Sequence, residues 1–262
     1  MKKIIIILSV AFLQFSCEKK SDYNASYEAQ DPYMHSFVKI INVYPFAQPA
    51  FSGQTSAAFR FTYNKTLLSA VPTAVGATFP SGQDYYAVNR IMTERNLDVS
   101  LALGTPPATT RDSFLYRYEP IVFKLQKYYS LFICDSIKKA DRVLVVEDDI
   151  KYPAADANYR VRFVNTIPNP PNATPAIDVY ANTTDSLIFS GIKFKQATPF
   201  IELSRLGSAT TNTFRIKWTG TSTVVGTISL TLANKMSATL IAKGFVGATG
   251  LRAPALISYR NK

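Results

Sequence analysis

Eight residues of this chain occur twice in nearly the same words. "VKIINVYP" spans residues 38–45 and "VRFVNTIP" spans 161–168. Each reads valine, a cation, two apolar residues, asparagine, two variable positions and proline. The opening residues alternate with the period of a strand, so Val38 and Ile40 share one face and Lys39 takes the other. Asn42 and Asn165 can each bond their own backbone two residues on, which starts a turn. Pro45 and Pro168 lack the N–H that a sheet ladder needs, so they end the strand. The phrase therefore reads as the first strand and exit turn of a domain. A pair of ligand-binding amides is the alternative for the two asparagines.

A second pairing supports duplication. "KYYSLFICD" from Lys127 resembles "KMSATLIAK" from Lys235, 108 positions later, whereas the opening phrases lie 123 apart. The first copy is expected to hold about 15 more residues inside it. The loop-rich stretches "SAVPTAVGATFPSG" and "GTPPATTRDS" have the chemistry to hold them.

Short alternating runs fill the rest. Strands are expected at "AAFRFTY", "DYYAVN", "LDVSLAL", "FLYRYEPIVFKL", "YYSLFICD" and "RVLVVED". Later, "YRVRFVN" sets Val161 and Phe163 inward and Arg160 and Arg162 outward. "TFRIKWTG" buries Phe214, Ile216 and Trp218 and exposes Arg215 and Lys217. "TISLTL" buries Ile228, Leu230 and Leu232. Such strands with turn residues between them predict an all-β chain of two tandem β-sandwiches. The acidic, proline-containing "EDDIKYPAADAN" reads as the boundary. The expected divisions are 36–147 for the first sandwich, 148–158 for a linker and 159–262 for the second.

Composition agrees. Of 262 residues, 47% are hydrophobic and 13% aromatic, a mixture suited to half-buried pleated surfaces. The formal charge is +11; without Lys2 and Lys3, 27 cations face 18 anions, leaving +9. The basic residues stand singly along strands, as in "RVRF", "KFK" and "FRIKW", and read as solvated outer faces. No basic cluster points to nucleic acid.

The first residues, "MKKIIIILSVAFLQFSCEKK", carry a basic start, an apolar run from Ile4 to Leu13, then Ser16 and Cys17. The run matches a signal-peptide core and is too short to span a bilayer. A small residue before cysteine marks lipoprotein processing, which would remove residues 1–16 and acylate Cys17. Gln14 stands where the usual box has an aliphatic residue. An ordinary cleaved leader and an uncleaved anchor are the alternatives. Two or three acyl chains anchor stably, each buried CH2 contributing about 0.8 kcal/mol. Residues 17–35 then form a polar tether.

Little else carries chemistry. With Cys17 acylated, Cys134 is the one remaining thiol, in an apolar run where it reads as a small buried hydrophobe. One histidine, His35, and two cysteines exclude zinc and Ser-His-Asp or Cys-His machinery, and no metal or cofactor is expected. Glu147–Asp149 offers carboxylates without an alternating calcium loop and reads as solvated linker. The tyrosine pairs at 85–86 and 128–129 could expose one ring each.

The second copy resembles the repeated domain of unknown function 4397, common in envelope lipoproteins of Bacteroidota-type bacteria. The resemblance rests on "VRFVNTIP", "PAIDVYAN" at 175–182, "GIKFKQATPFIELSRLGS" and "LTLANKMSATLIAKGFVG". In the first copy it rests on "VKIINVYP" and the segment near Lys127, with "AAFRFTY" in place of the "DVY" strand. It implies sandwiches of immunoglobulin-like or transthyretin-like character, usually in tandem. It implies no activity, so Asp178 and Tyr180 read as framework residues. "DSI" and "DSL" resemble the O-glycosylation acceptor of the same bacteria, which makes Ser136 and Ser186 candidate acceptors; a plain turn is the alternative.

The expected function is that of a non-enzymatic outer-membrane lipoprotein, held to the membrane by its N-terminal lipid. It would act as a binding, adhesion or structural module with an envelope protein or glycan partner. A carbohydrate-binding accessory component of a glycan-utilisation system is the alternative, and a glycan hydrolase the third reading.

Overall fold

The computed structural model describes residues 35–46, 58–64, 66–69, 71–89, 96–101, 113–118, 123–136, 139, 141–171, 173–182, 184–204, 211–231 and 235–261. The leader, Cys17, the tether up to residue 34, the loop 104–112 and Leu232 lie outside them.

Among the described residues the first half contains nine strands: β1 (His35–Asn42), β2 (Phe59–Tyr63), β3 (Thr66–Leu67), β4 (Thr78–Phe79), β5 (Tyr86–Asn89), β6 (Leu97–Leu101), β7 (Ser113–Tyr118), β8 (Tyr128–Ile133) and β9 (Val143–Asp148). The second half repeats them: β10 (Asn158–Asn165), β11 (Ala176–Ala181), β12 (Ser186–Lys193), β13 (Gln196–Ala197), β14 (Ile201–Ser204), β15 (Thr211–Trp218), β16 (Val224–Thr231), β17 (Ser237–Lys243) and β18 (Ala255–Arg260). Among the described residues no helix is long and apolar enough to cross a membrane.

The pairings of the two halves coincide strand for strand. In the first, β1 lies between β8 and the β4/β5 pair, with β9 beyond β8; the facing sheet runs β3-β2-β6-β7. In the second, β10 lies between β17 and the β13/β14 pair, with β18 beyond β17; its facing sheet runs β12-β11-β15-β16. The first and eighth strands of each half pair in parallel, and the other pairs are antiparallel. An immunoglobulin sandwich places its second strand beside the first and fifth. Here the second strand lies beside the third and sixth, which differs from the immunoglobulin order.

Register aligns the copies and corrects one offset. Val38 pairs with Tyr129 and Val161 with Ala238, so Tyr129 corresponds to Ala238, 109 positions later. The match of Lys127 with Lys235 was one residue out of phase, which in a strand would put every side chain on the wrong face.

Each half closes on its own core. Val38, Ile40, Phe59, Phe61, Val99 and Leu131 pack together in the first, and Val161, Phe163, Ile177, Phe214, Ile216 and Leu240 in the second. Full burial of one such side chain stabilises the fold by about 1.5–3 kcal/mol. Trp218 is buried and Ile228 and Leu230 are half-buried against this second core, following the alternation in sequence. The side of the second sandwich is pulled tight at Gly226. A Cβ there would lie 2.6 Å from the backbone nitrogen of Leu256, so β16 can approach β18 only without a side chain.

A third cluster joins the halves. Ile41, Val43, Phe132 and Cys134 on the outer face of the β1–β8–β9 sheet pack with Val164, Ile241 and Tyr259 on the outer face of the β10–β17–β18 sheet. Those two sheets are therefore covered on both sides. This overturns the reading of cations on these strands as solvated. Lys39 is 0% exposed and Arg162 2%, and Arg160 is buried as well. Alternation correctly turned them away from their own cores, but the face they point to is filled by the other half.

Candidate functional site

The densest polar chemistry of the described residues lies in that seam. Arg162 on β10 and Asp148 at the end of β9 form a buried ion pair across it, through Arg162 Nη2 and Asp148 Oδ1. Two relays of hydrogen bonds connect the same two residues. In one, Arg162 Nε donates to Thr239 Oγ1 at 2.9 Å, Thr239 donates to Asn261 Oδ1 at 2.7 Å, Asn261 Nδ2 donates to the Tyr85 hydroxyl at 2.9 Å, and Tyr85 donates to Asp148 Oδ2 at 2.7 Å. In the other, Arg162 Nη2 donates to the Tyr259 hydroxyl at 3.1 Å, and Ser130 Oγ donates to Asp148 Oδ2 at 2.6 Å. Tyr259 and Ser130 lie 2.7 Å apart. Since the Ser130 proton is committed to Asp148, Tyr259 donates to Ser130. Each hydroxyl in the seam thus donates once and accepts at least once.

Electrostatics follow from this closure. Burial alone would depress the Arg162 guanidinium, but Asp148 and the neighbouring tyrosines outweigh it and hold its pKa above the usual value. Burial raises the Tyr85 and Tyr259 hydroxyls, with Asp148 adding to both. Lys39 differs. Its Nζ donates to the Gly82 carbonyl at 2.8 Å and sits over the rings of Tyr85 and Tyr259. Burial pulls its pKa down to about 8 against the opposing pull of Asp84 and Asp148.

Further ion pairs line the rim. Arg160 donates to the Asp149 carboxylate at 2.8 Å and to the Asp149 and Lys151 carbonyls. Lys195, in the turn after β12, reaches Asp135 at 2.7 Å and Asp141 at 2.8 Å in the first half. The acidic run at 147–149 is therefore not a solvated linker: Asp148 ends a strand and is buried, and Asp149 holds Arg160. Among the described residues no group of three or more His, Cys, Asp or Glu converges as a metal would require.

The residues singled out in the sequence fall into separate places. Asn42 Oδ1 accepts the Tyr44 amide at 3.2 Å, and its Nδ2 donates to the Thr73 carbonyl at 2.8 Å. Asn165 repeats this, accepting from Ile167 at 3.0 Å and donating to Ile192 at 2.9 Å. Both are fully buried, Pro45 is buried and Pro168 half-buried. Asp178 Oδ1 accepts from Ser190, Gly191 and Thr219, binding β11 to both neighbours. Tyr180 lies 4.4 Å beneath Lys217. Ser136 is half-buried beside the buried Asp135, whereas Ser186 is exposed at the β11–β12 turn. Cys134 is 0% exposed, and burial pushes its thiol up to about 12, away from nucleophilic use. None of the paired tyrosines is exposed: Tyr129 is in the first core, Tyr86 packs on it, Tyr85 joins the seam, and Tyr128 stacks on Phe37 at 4.7 Å.

Two open crevices flank the end of β18, each of about 270 Å3. One lies between the halves, between Gly76–Gly82 and Tyr259. The other lies within the second sandwich, between Leu230, Met236 and Ala238. Ser258, Tyr259 and Arg260 line both.

No family model and no curated protein matches the chain. Among solved structures, one of family 41 carbohydrate-binding modules from streptococcal virulence factors, concerned with alpha-glucan recognition, is similar over 86% of this chain and 97% of its own. The identity is 9% and the TM-score 0.27, a likeness that carries no argument about ligand or activity.

Proposed function

We propose that the chain is a non-enzymatic lipoprotein of the outer membrane, anchored through Cys17, whose paired sandwiches serve as a binding, adhesion or structural module. The observation that carries this reading is the closed seam. Arg162, Asp148, Ser130 and Tyr259, residue types that elsewhere do acid–base or nucleophilic work, are buried, Tyr85 is half-buried, and all five are bonded to one another. They bind one half to the other and offer no substrate a free group. The loops and sheet edges are left to meet a partner.

Metabolic labelling with a clickable palmitate analogue tests the anchor. The native chain is expected to take the label and to partition with membranes, and Cys17→Ser to lose both. An unlabelled, freely soluble native chain would overturn the reading. Intact-mass measurement of the same material tests glycosylation, for which exposed Ser186 is the better placed acceptor. A mass accounted for by peptide and lipid alone removes the modification. Protease shaving of intact cells then reports whether the body faces outward.

A further inference from the structure

We infer that the open edge of β18 is a docking groove for an extended polypeptide segment that carries an acidic side chain. Among the described residues β18 is the last strand of its sheet and bonds only to β17. The phase of that ladder is fixed by the Asn261 amide, which donates to the Ser237 carbonyl at 2.8 Å. In an antiparallel pair alternate residues face the partner, so Tyr259 and Ile257 bond to β17 and Leu256, Ser258 and Arg260 turn their N–H and C=O groups outward. β16 covers this edge at one end, where Gly226 presses on the Leu256 nitrogen. At the other end the main-chain groups of Ser258 and Arg260 border the two crevices.

The crevices lie on opposite faces of the strand. Tyr259 points into the seam between the halves, where its hydroxyl meets Ser130 and Arg162, and Leu256 points into the second core. A strand added along β18 would send successive side chains to opposite faces. One would enter the crevice by Gly76, Thr78 and Gly82, and the next the crevice by Leu230, Met236 and Ala238. Ladder bonds of this kind give affinity and alternate pockets give selectivity. A free ladder edge with a two-residue pocket period suits a peptide.

Charge selects the peptide further. No residue lining either crevice is acidic, and Arg260 is exposed without an ion-pair partner among the described residues. Buried Lys39 lies directly beneath Gly82. Exposed Asp84, two residues beyond Gly82, is the opposing charge. An apolar residue in the Leu230–Met236 crevice, with a carboxylate two residues along on the same face against Arg260, completes the match.

The inference rests on the binding-module reading, and Cys17 labelling reports on the anchor independently of it. The test uses purified full-length protein and a fluorescein-labelled, end-blocked hexapeptide with threonine flanks around a central leucine–threonine–glutamate. Saturable anisotropy is expected, weakened at least about tenfold when glutamate becomes lysine, in Arg260→Glu and in Ser258→Pro. Proline at 258 removes an outward donor and no ladder bond to β17. Both variants are checked for unchanged thermal unfolding, and Arg260→Glu, at an exposed side chain, carries the test alone if the proline variant unfolds. Absence of saturable binding to millimolar peptide, or binding by both variants as tight as by the native chain, overturns the inference. So does displacement of the peptide only by oligosaccharides, or concentration-dependent dimerisation lost in Ser258→Pro.

Discussion

The two halves meet through the same face, and they equip it differently. By register, Lys39 corresponds to Arg162, Ser130 to Thr239, Val146 to Tyr259 and Asp148 to Asn261; Tyr85 corresponds to Phe200, each the residue before a strand paired to the first. Even the cation–ring contacts repeat, Lys39 over Tyr85 at 5.1 Å and Arg162 over Phe200 at 4.9 Å. This is the geometry of a self-complementary dimer interface within one chain. Its charges are unequal. Arg162 faces an aspartate, whereas the position equivalent to that aspartate in the second half is an amide. The frame is duplicated, and the ion pair is made once.

The sharpest way to break this comparison is to remove the single acid. Asp148→Ala leaves Arg162 buried and unpaired and is expected to cost about 3–5 kcal/mol in urea unfolding. Asn261→Ala, at the equivalent position, leaves Thr239 and Tyr85 each short of one partner and is expected to cost about 1–2 kcal/mol. Equal losses would mean that the two sites are energetically alike. Replacing both ions, as Asp148→Leu with Arg162→Met, is expected to recover most of the loss, since well-packed apolar pairs often match a buried ion pair.

Where the halves are alike, their losses should be alike. Asn42→Ala and Asn165→Ala each strand one buried amide and one carbonyl, at about 2–4 kcal/mol. Aspartate at either site would keep the turn acceptor but set a carboxylate against the Thr73 or Ile192 carbonyl, so it should be no better than alanine. A large difference between the two alanine variants would show that only one turn holds its half together. Gly226→Ala is a smaller test, confined to the second sandwich. Its Cβ would force β16 from β18, at about 1–3 kcal/mol, and the same move would loosen one wall of the adjacent crevice.

Alternation and the repeated phrase made the strands, their inward faces and the asparagine turns legible, because those depend on local period and local hydrogen bonds. The seam was harder to read. A cation every second residue looks the same whether its face meets water or another sheet. Yet a signal was present. On β1 the face away from the core carries Ile41 beside Lys39, on β8 it carries Phe132 beside Ser130, and on β17 Ile241 beside Thr239. A strand apolar on both faces is covered on both, so "KIINV" and "SLFIC" already spoke against a solvated outer face. The partner of Arg162 could not be read from spacing, because Asp148 reaches it only through the packing of two separate sheets. The acidic run containing Asp148 resembles a linker for the same reason. The β18 crevices were equally hidden, since they arise where one half's loop meets the other half's edge.

The pair Lys39 and Arg162 offers the finest test, because a lysine can surrender its proton and an arginine cannot. Burial lowers the Lys39 pKa to about 8 in the folded chain, against an ordinary value of 10.5. Below pH 8 both folded and unfolded chains hold the proton, and burying it destabilises the fold. Between about pH 8 and pH 10.5 the folded chain has released it and the unfolded chain has not. The unfolded state then binds more protons, so this group's contribution to stability rises with pH. Lys39→Met removes the effect. It is expected to gain on the wild type at pH 7, and the wild type should recover on the order of 1 kcal/mol of that gap by about pH 9.5. Titration of the Cys134 thiol and the remaining lysines is common to both proteins and cancels in the difference. The corresponding difference for Arg162→Met should stay flat over the same window, measured by urea unfolding at each pH. A flat Lys39 difference would mean that its ammonium is as well paired as the Arg162 guanidinium, and the two halves of the seam would then be equivalent in energy as well as in frame.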